Sequence, residues 1–253
     1  MQLKNKVALV TGGGGGFGSS ISQTFAAEGA RVVVTDVRDS GAEVADSVNG
    51  TFIKADISTL DGTRELGKRV LDVAGHVDIL VNNAGLQHLD AVEDFPDDEW
   101  ARLIQVMLVA PFQLTKAVVP SMKERGWGRI INLSSIHGLV ASPFKSAYIS
   151  AKHGIVGMTK TIALEVGEFG ITVNAICPGY SNTPLVQSQI GSQARTRGIS
   201  KEEVVEKVML EPAAIKRLID PEEIANMAVF LATDQARSIT GASMVIDAGW
   251  TAR

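Results

Sequence analysis

Seven short apolar runs punctuate the chain, and stretches with helical periodicity separate most of them. Val7-Ala8-Leu9-Val10, Ala30 to Asp36, Thr51 to Asp56, Val77 to Val81, Arg129 to Ser134, Ile171 to Ile176 and Met244 to Asp247 have the length of strands. Several lack an alternating polar face, which is the pattern of strands covered on both sides. After the first run Ile21, Phe25 and Ala26 recur on one helix face, and Gly29 closes the pattern. A long helical pattern from Trp100 to Lys123 is softly broken at Pro111 and Pro120, and another runs from Ser146 towards Phe169. Asp220-Pro221-Glu222-Glu223 opens a helix through Phe230 with a cap, a first-turn proline and early acids. Strands alternating with helices predict an α/β fold. We expect one doubly wound Rossmann-type domain over residues 1–253, a mainly parallel seven-stranded sheet with helices on both faces. The rhythm fails from 181 to about 214, a polar stretch with a short charged helix pattern (Lys201, Glu202, Glu203, Glu206, Lys207). A connection this long predicts a substrate lid, with the charges on its solvated face.

The chemistry sits where the strands stop. Thr11-Gly12-Gly13-Gly14-Gly15-Gly16-Phe17-Gly18 follows the first strand and opens a helix, and Asp36 closes the next strand. Strand, glycines, helix, strand and acid form a dinucleotide-binding unit: the glycines let a pyrophosphate approach the backbone and the helix N-terminus faces it. Asp36 suits the adenosine ribose hydroxyls and would repel a 2′-phosphate, which favours NAD over NADP, while Arg38 is the counter-signal. Asp56 is placed equally well for an adenine contact or for capping the next helix.

After the fifth strand comes Ser135, and further on Tyr148 and Lys152 lie one helical turn apart on one face. Bringing a phenol from its usual pKa near 10 down to about 7 takes roughly 4 kcal/mol. A partly buried Lys152 together with an oxidised nicotinamide ring is expected to supply it. With Ser135 holding the reacting oxygen, the three make an acid–base device for alcohol–ketone chemistry.

Composition narrows the partners. The net charge of −4 gives no electrostatic support for a nucleic-acid or acidic-membrane role. Cys177 is the only cysteine, so no intrachain disulfide and no cysteine-based metal cluster forms, and His76, His88, His137 and His153 show no ligand spacing. No metal is expected. Lys4 and Lys6 precede an apolar run too short for a signal-peptide core, and no apolar run approaches membrane-spanning length, so a cytoplasmic enzyme is expected.

Over essentially its whole length the sequence resembles the short-chain dehydrogenase/reductase family. Thr11-Gly12-x-x-x-Gly16-x-Gly18 looks like that family's cofactor loop and Asn82-Asn83-Ala84-Gly85 like its sheet-supporting motif. Ser135, Tyr148 and Lys152 match its catalytic serine, tyrosine and lysine, and Pro178-Gly179 with Thr183 match the nicotinamide-side segment. The resemblance implies that Tyr148 is the general acid–base, that Lys152 lowers its pKa and holds the nicotinamide ribose, and that Ser135 positions the substrate oxygen. Phe17, Ile57, Asn83, Ala84 and Gly85 join Gly12, Gly16, Gly18, Asp36 and Asp56 as implied cofactor contacts.

Within the family, Ile136 to Ser142, Lys145 to Tyr148, Asn174 to Gly179, Thr183 to Val186 and Gly249 to Arg253 resemble the bacterial 3-hydroxybutyrate dehydrogenases. That likeness implies a small carboxylate substrate held by Gln87, His137, Lys145 and Gln189, with Trp250 beside it, and a homotetramer. Two positions depart from the pattern. Tyr180 stands where that group has Trp, and Met107 where the family has an Asn that helps to hold a water linking the lysine to solvent. A thioether cannot replace an amide there. Three readings follow: an active NAD-dependent dehydrogenase of a small hydroxy acid, a reductase of oxoacyl thioesters, or a dinucleotide-binding protein with little catalysis.

Overall fold

The computed structural model describes residues 1–252, apart from the side chains of 192, 196 and 197. Its strands are β1 (Val7–Thr11), β2 (Arg31–Asp36), β3 (Thr51–Lys54), β4 (Ile79–Asn82), β5 (Gly128–Leu133), β6 (Ile171–Pro178) and β7 (Ser243–Ile246). Its α-helices are α1 (Gly16–Ala27), α2 (Ser40–Ser47), α3 (Leu60–Ala74), α4 (Asp97–Ile104), α5 (Ala110–Arg125), α6 (Ser146–Val166), α7 (Pro184–Arg197), α8 (Lys201–Val204) and α9 (Pro221–Ala232). All seven strands lie parallel in the order β3-β2-β1-β4-β5-β6-β7. The order reverses between β1 and β4, and the crevice at such a switch point is where ligands bind in this architecture.

The pleat sends alternate residues to opposite faces. Ala8 and Val10 of β1 join a cluster with Ile21 and Phe25 of α1, Ala45 of α2 and Ile224 and Ala228 of α9. Val7 and Leu9 join the other cluster, with Leu66 and Val70 of α3, Leu114 and Val118 of α5 and Ile162 of α6. Both faces are therefore dry, which explains the continuous apolar strands. Fully burying one such side chain contributes roughly 1.5–3 kcal/mol, so two filled faces hold the fold without a covalent staple.

The long helical pattern is one rod, Asp97–Arg125, of 29 residues. By length and composition it is long and apolar enough to cross a membrane, against the sequence expectation. Its apolar residues Leu103, Val106, Met107, Leu114, Val118 and Met122 are buried within the fold instead. The break in its α-geometry also differs from expectation. A π-turn spans Gln105–Val109, just ahead of Pro111, while Pro120 sits inside α5 without ending it. Pro111 has no N–H for the carbonyl four residues back, Met107, and its ring crowds that carbonyl, so the turn widens.

One polar exception to the dry core is a chain of side-chain hydrogen bonds. Asn82 Nδ2 donates to Asn132 Oδ1 (2.8 Å), and Asn132 Nδ2 donates to Thr159 Oγ1 (2.9 Å), tying β4 to β5 and β5 to α6. Asn132 is fully buried. Replacing it with Ala leaves partners on both sides unmatched, at about 1–3 kcal/mol for each buried group. We expect Asn132→Ala to lower Tm by roughly 5–15 °C, using about 2–4 °C per kcal/mol for a chain of this size. A thermal melt shifted by less than about 2 °C would remove the chain of bonds from the account of stability.

Candidate active site

The loop after β1 is folded hard against the end of β4. Gly12 takes a left-handed φ of 63°, and a Cβ there would come within 2.8 Å of the Ala84 Cα. A Cβ on Gly18 would meet the Gly12 carbonyl at 2.3 Å. Asn83 fixes the arrangement: its Nδ2 donates to the carbonyls of Thr11 (2.8 Å) and Gly12 (3.0 Å). In return the Thr11 hydroxyl accepts the N–H groups of Asn83 (3.0 Å) and Ala84 (3.1 Å). Gly16, the first residue of α1, faces Thr183, which caps α7 by accepting the Val186 N–H. The backbone thus forms the bare cradle that a pyrophosphate needs, with a helix N-terminus above it.

Asp36 stands at the end of β2 beside this cradle. One oxygen accepts the Gly14 N–H (2.9 Å), the other the Arg38 N–H (2.9 Å), and the Arg38 guanidinium spans both oxygens at 3.1 Å. Burial works to raise the Asp36 pKa, but the Arg38 side chain and the two backbone N–H groups outweigh it and hold the carboxyl below its usual range. The counter-signal residue is therefore paired with the acid it was set against. Asp56 is exposed and accepts the Ser58 N–H, turning the chain into α3, whose cap is Thr59. Ile57 packs with Ala84, Met107 and Tyr148 beneath the site.

Residues from β5 and α6 meet next to the cradle. The Lys152 ammonium donates to the Leu133 carbonyl at 2.6 Å, and Ser134 Oγ donates to the Lys152 carbonyl at 3.0 Å. Ser135 Oγ accepts the His137 N–H. The Lys152 nitrogen lies 5.6 Å from the centre of the Tyr148 ring. Burial pushes the Tyr148 phenol up to about 12, the Ser135 hydroxyl pulls the other way, and Lys152 does not bring it down. Lys152 is itself pushed down to about 8 by burial, with Cys177 opposing. Burial is the largest influence on both groups.

A small cavity of about 70 Å³ opens beside Tyr148, bounded by Ser135, His137, Lys145, Gln87 and Gln189 and, below, by Phe17, Pro178 and Gly179. Lys145 is 5% exposed, and among the described residues no carboxylate pairs with it. Burial pushes it down to about 8. Burial, then Lys145 and His153, push His137 down to about 3, so its ring is neutral at pH 7. His137 Nε2 and Gln87 Nε2 are buried with no partner. Gln189 on α7 donates to the Gln87 carbonyl. Trp250 backs the His137 ring at 6.2 Å and donates to the Met209 carbonyl, but it does not line the cavity. Reading the sequence gave Ser134 no role and named Thr11, Leu185 and Val186 only within family-like stretches; Leu185 and Val186 line the cavity.

That insert carries its own apolar cluster of Ile190, Val204 and Met209 and is tied down at its base, where Ile219 N–H meets the Tyr180 carbonyl and Asn182 N–H the Ile219 carbonyl. A larger groove of about 880 Å³ runs along it past Ile190, Lys201, Lys207 and Lys216, and holds none of the candidate catalytic groups.

A cradle for pyrophosphate, an acid at the end of β2 and a Ser-Tyr-Lys cluster at one sheet edge coincide with a family model described as enoyl-(acyl carrier protein) reductase, which matches residues 13–251. The chain belongs to the short-chain dehydrogenase/reductase family. It is an oxidoreductase that uses a nicotinamide dinucleotide. The D-beta-hydroxybutyrate dehydrogenase of Rhizobium meliloti (strain 1021) is 48% identical over 98% of this chain and 99% of its own. The D-beta-hydroxybutyrate dehydrogenase of Cupriavidus necator is 43% identical, over 99% of this chain and all of its own. Bacillus subtilis has an uncharacterized oxidoreductase, YxjF, 44% identical over 99% and 100%.

Proposed function

We propose that this reductase-family chain is an NAD-dependent dehydrogenase interconverting a small 3-hydroxy acid and its 3-oxo acid, with 3-hydroxybutyrate and acetoacetate as the pair. The carrying observation is Lys145: a buried ammonium without a carboxylate partner, set beside unpartnered donors at His137 and Gln87 and next to Ser135 and Tyr148. An anion is the partner that such a set lacks. The names of the two hydroxybutyrate dehydrogenases support the same choice.

The residues present fit the cofactor. The glycine cradle and the start of α1 would take the pyrophosphate, Asp36 the adenosine ribose, and Lys152 the nicotinamide ribose, with Pro178, Gly179 and Thr183 on the nicotinamide side. When bound, the nicotinamide supplies the hydride acceptor. Ser135 holds the substrate hydroxyl, Tyr148 removes its proton during oxidation, and Lys145 and His137 hold the carboxylate away from the reacting carbon. The insert from 181 to about 214 acts as the lid, since Leu185, Val186 and Gln189 form one cavity wall. Asp36, kept ionised and mostly buried, would face a 2′-phosphate with like charge, so NAD is favoured.

Nicotinamide absorbance with NAD and NADP in parallel tests the reading. We expect turnover of 3-hydroxybutyrate with NAD, and a narrowed preference in Asp36→Ala, where Arg38 loses its carboxylate. Lys145→Ala should raise KM for the acid about ten- to a hundredfold and leave NAD affinity unchanged, the cost of one charge-assisted bond. Lys145 holds its proton below about pH 8 and loses it above. KM for the anion should therefore be flat below that value and climb above it. Comparable kcat/KM with both cofactors would end the NAD assignment, and a pH-independent KM would end the role of Lys145.

Met107 supports a slower enzyme. It is 1% exposed and packs with Ala147, Ala151 and Tyr148, where a thioether cannot anchor water as an amide does. General acid–base steps are typically worth 10²–10⁴ in rate, so a weakened proton relay lowers kcat without touching binding. We expect Met107→Asn to raise kcat several-fold with little change in KM. A flat kcat would give the relay to another group, of which the Met107 carbonyl, left without an α-helical N–H by Pro111, is one. No activity in either form with any hydroxy acid would favour a dinucleotide-binding protein.

On assembly, Trp100, Phe112 and Leu164 leave apolar surface open on α4, α5 and α6, Leu164 being 88% exposed. We propose that these faces pair across two-fold axes in a homotetramer, closed symmetry being the rule for such chains. The mass from light scattering at micromolar concentration should be that of four chains, and a monomer mass would refute it.

A further inference from the structure

One polar atom in the cavity wall has no task in that reaction. Gln87, on the loop after β4, and Gln189, on α7, are bonded amide to amide. A primary amide has an NH₂ with two donors and a carbonyl with two lone pairs, so a single bond between two of them engages the NH₂ of one and the carbonyl of the other and leaves the remaining NH₂ and carbonyl wholly free. The pair must then present one NH₂ and one carbonyl to its surroundings, whichever way the two amides are turned. Here these are Gln87 Nε2 and Gln189 Oε1, both buried and both without a partner among the described residues. The NH₂ suits a carboxylate. The carbonyl does not, because an ionised carboxylate has only acceptors.

The other donors are committed elsewhere. Lys145 and the neutral His137 face the carboxylate, and Ser135 and Tyr148 take the reacting hydroxyl. 3-Hydroxybutyrate has a single hydroxyl and otherwise only carbon-bound hydrogen, so it leaves Gln189 Oε1 unsatisfied. Gln189 is 9% exposed and lines the cavity, so a bound ligand lies beside its amide.

We propose that the preferred substrate is a small dihydroxy carboxylic acid, whose second hydroxyl, on a carbon next to the reacting one, donates to the amide carbonyl left free by the Gln87–Gln189 pair. This rests on the hydroxy-acid reading above and puts a hydroxylated relative of 3-hydroxybutyrate ahead of 3-hydroxybutyrate itself. The hydroxyl at C3 is oxidised as before and the second is only bound, so the reaction still balances as one hydride to NAD and one proton released. A site built to bond a hydroxyl discriminates strongly against the analogue lacking it, whereas a merely tolerant site does not.

The test compares kcat/KM for 3-hydroxybutyrate, 2,3-dihydroxybutanoate, 3,4-dihydroxybutanoate and uncharged 1,3-butanediol, with NAD. At least one dihydroxy acid should exceed 3-hydroxybutyrate tenfold or more. Gln189→Met, which keeps the length and loses the carbonyl, should cut that ratio at least tenfold. Gln189→Glu keeps an acceptor, so it should raise both KM values by charge repulsion while preserving the ratio. If 3-hydroxybutyrate matches or beats every dihydroxy isomer, or if Gln189→Met leaves the ratio intact, the second hydroxyl is refuted and the carboxylate reading survives. If 1,3-butanediol matches the acids, the carboxylate reading falls and takes this proposal with it. Should no acid be turned over, calorimetric affinities of the same acids for the NAD-saturated protein give the ratio, and a ratio of one or less refutes the proposal.

Discussion

Two hydrogen bonds between α6 and the end of β5 govern the rest of the site. Lys152 donates to the Leu133 carbonyl, and Ser134 returns a bond to the Lys152 carbonyl. Helix and strand are thereby locked in one register, and Tyr148, a turn before Lys152, has no freedom to drift from Ser135. The buried Asn132–Thr159 bond repeats the tie further along the same two elements. On the other side of the crevice, Asn83 and Thr11 do for the cofactor loop what Ser134 and Lys152 do for the candidate catalytic groups. Polar residues in this core fix relative positions, while the apolar clusters on the two sheet faces supply most of the cohesion.

The fold was legible because its signals are repetitive. Seven apolar runs and the helices α1, α5, α6 and α9 read directly, while strand ends moved (β3 stops at Lys54 instead of Asp56, and β4 starts at Ile79) and α2, α3 and α7 were not anticipated. Spacing placed Ser135 at a strand end and Tyr148 and Lys152 one helical turn apart, but it was the family-like motifs elsewhere in the chain that singled the three out. What the sequence hid were consequences of burial. Spacing put an ammonium near a phenol but did not show that both are stripped of water, which drives the Tyr148 phenol up and the Lys152 ammonium down. Nor could it show the Arg38 guanidinium folded onto Asp36, because that pairing depends on where a flexible side chain comes to rest.

The position of the helix break has the same origin. Two prolines in one helical pattern look alike in sequence, yet Pro111 coincides with the π-turn and Pro120 leaves α5 unbroken. The difference lies in what surrounds each: near Pro111 the helix must pass under Tyr148 and Ala151, and the widened turn carries Met107 into that contact.

The parallel sheet has a further consequence for how the chain reaches this structure. No strand can pair with its successor through a short hairpin, and the bond from Asn83 to Thr11 joins residues 72 positions apart. Closing such long loops costs chain entropy before any contact repays it, and folding dominated by distant pairings is slow. During synthesis β1 and its glycine loop stay without their inner neighbour until β4 has been made. The cofactor cradle thus takes shape only once Asn83, 72 positions beyond Thr11, is in place.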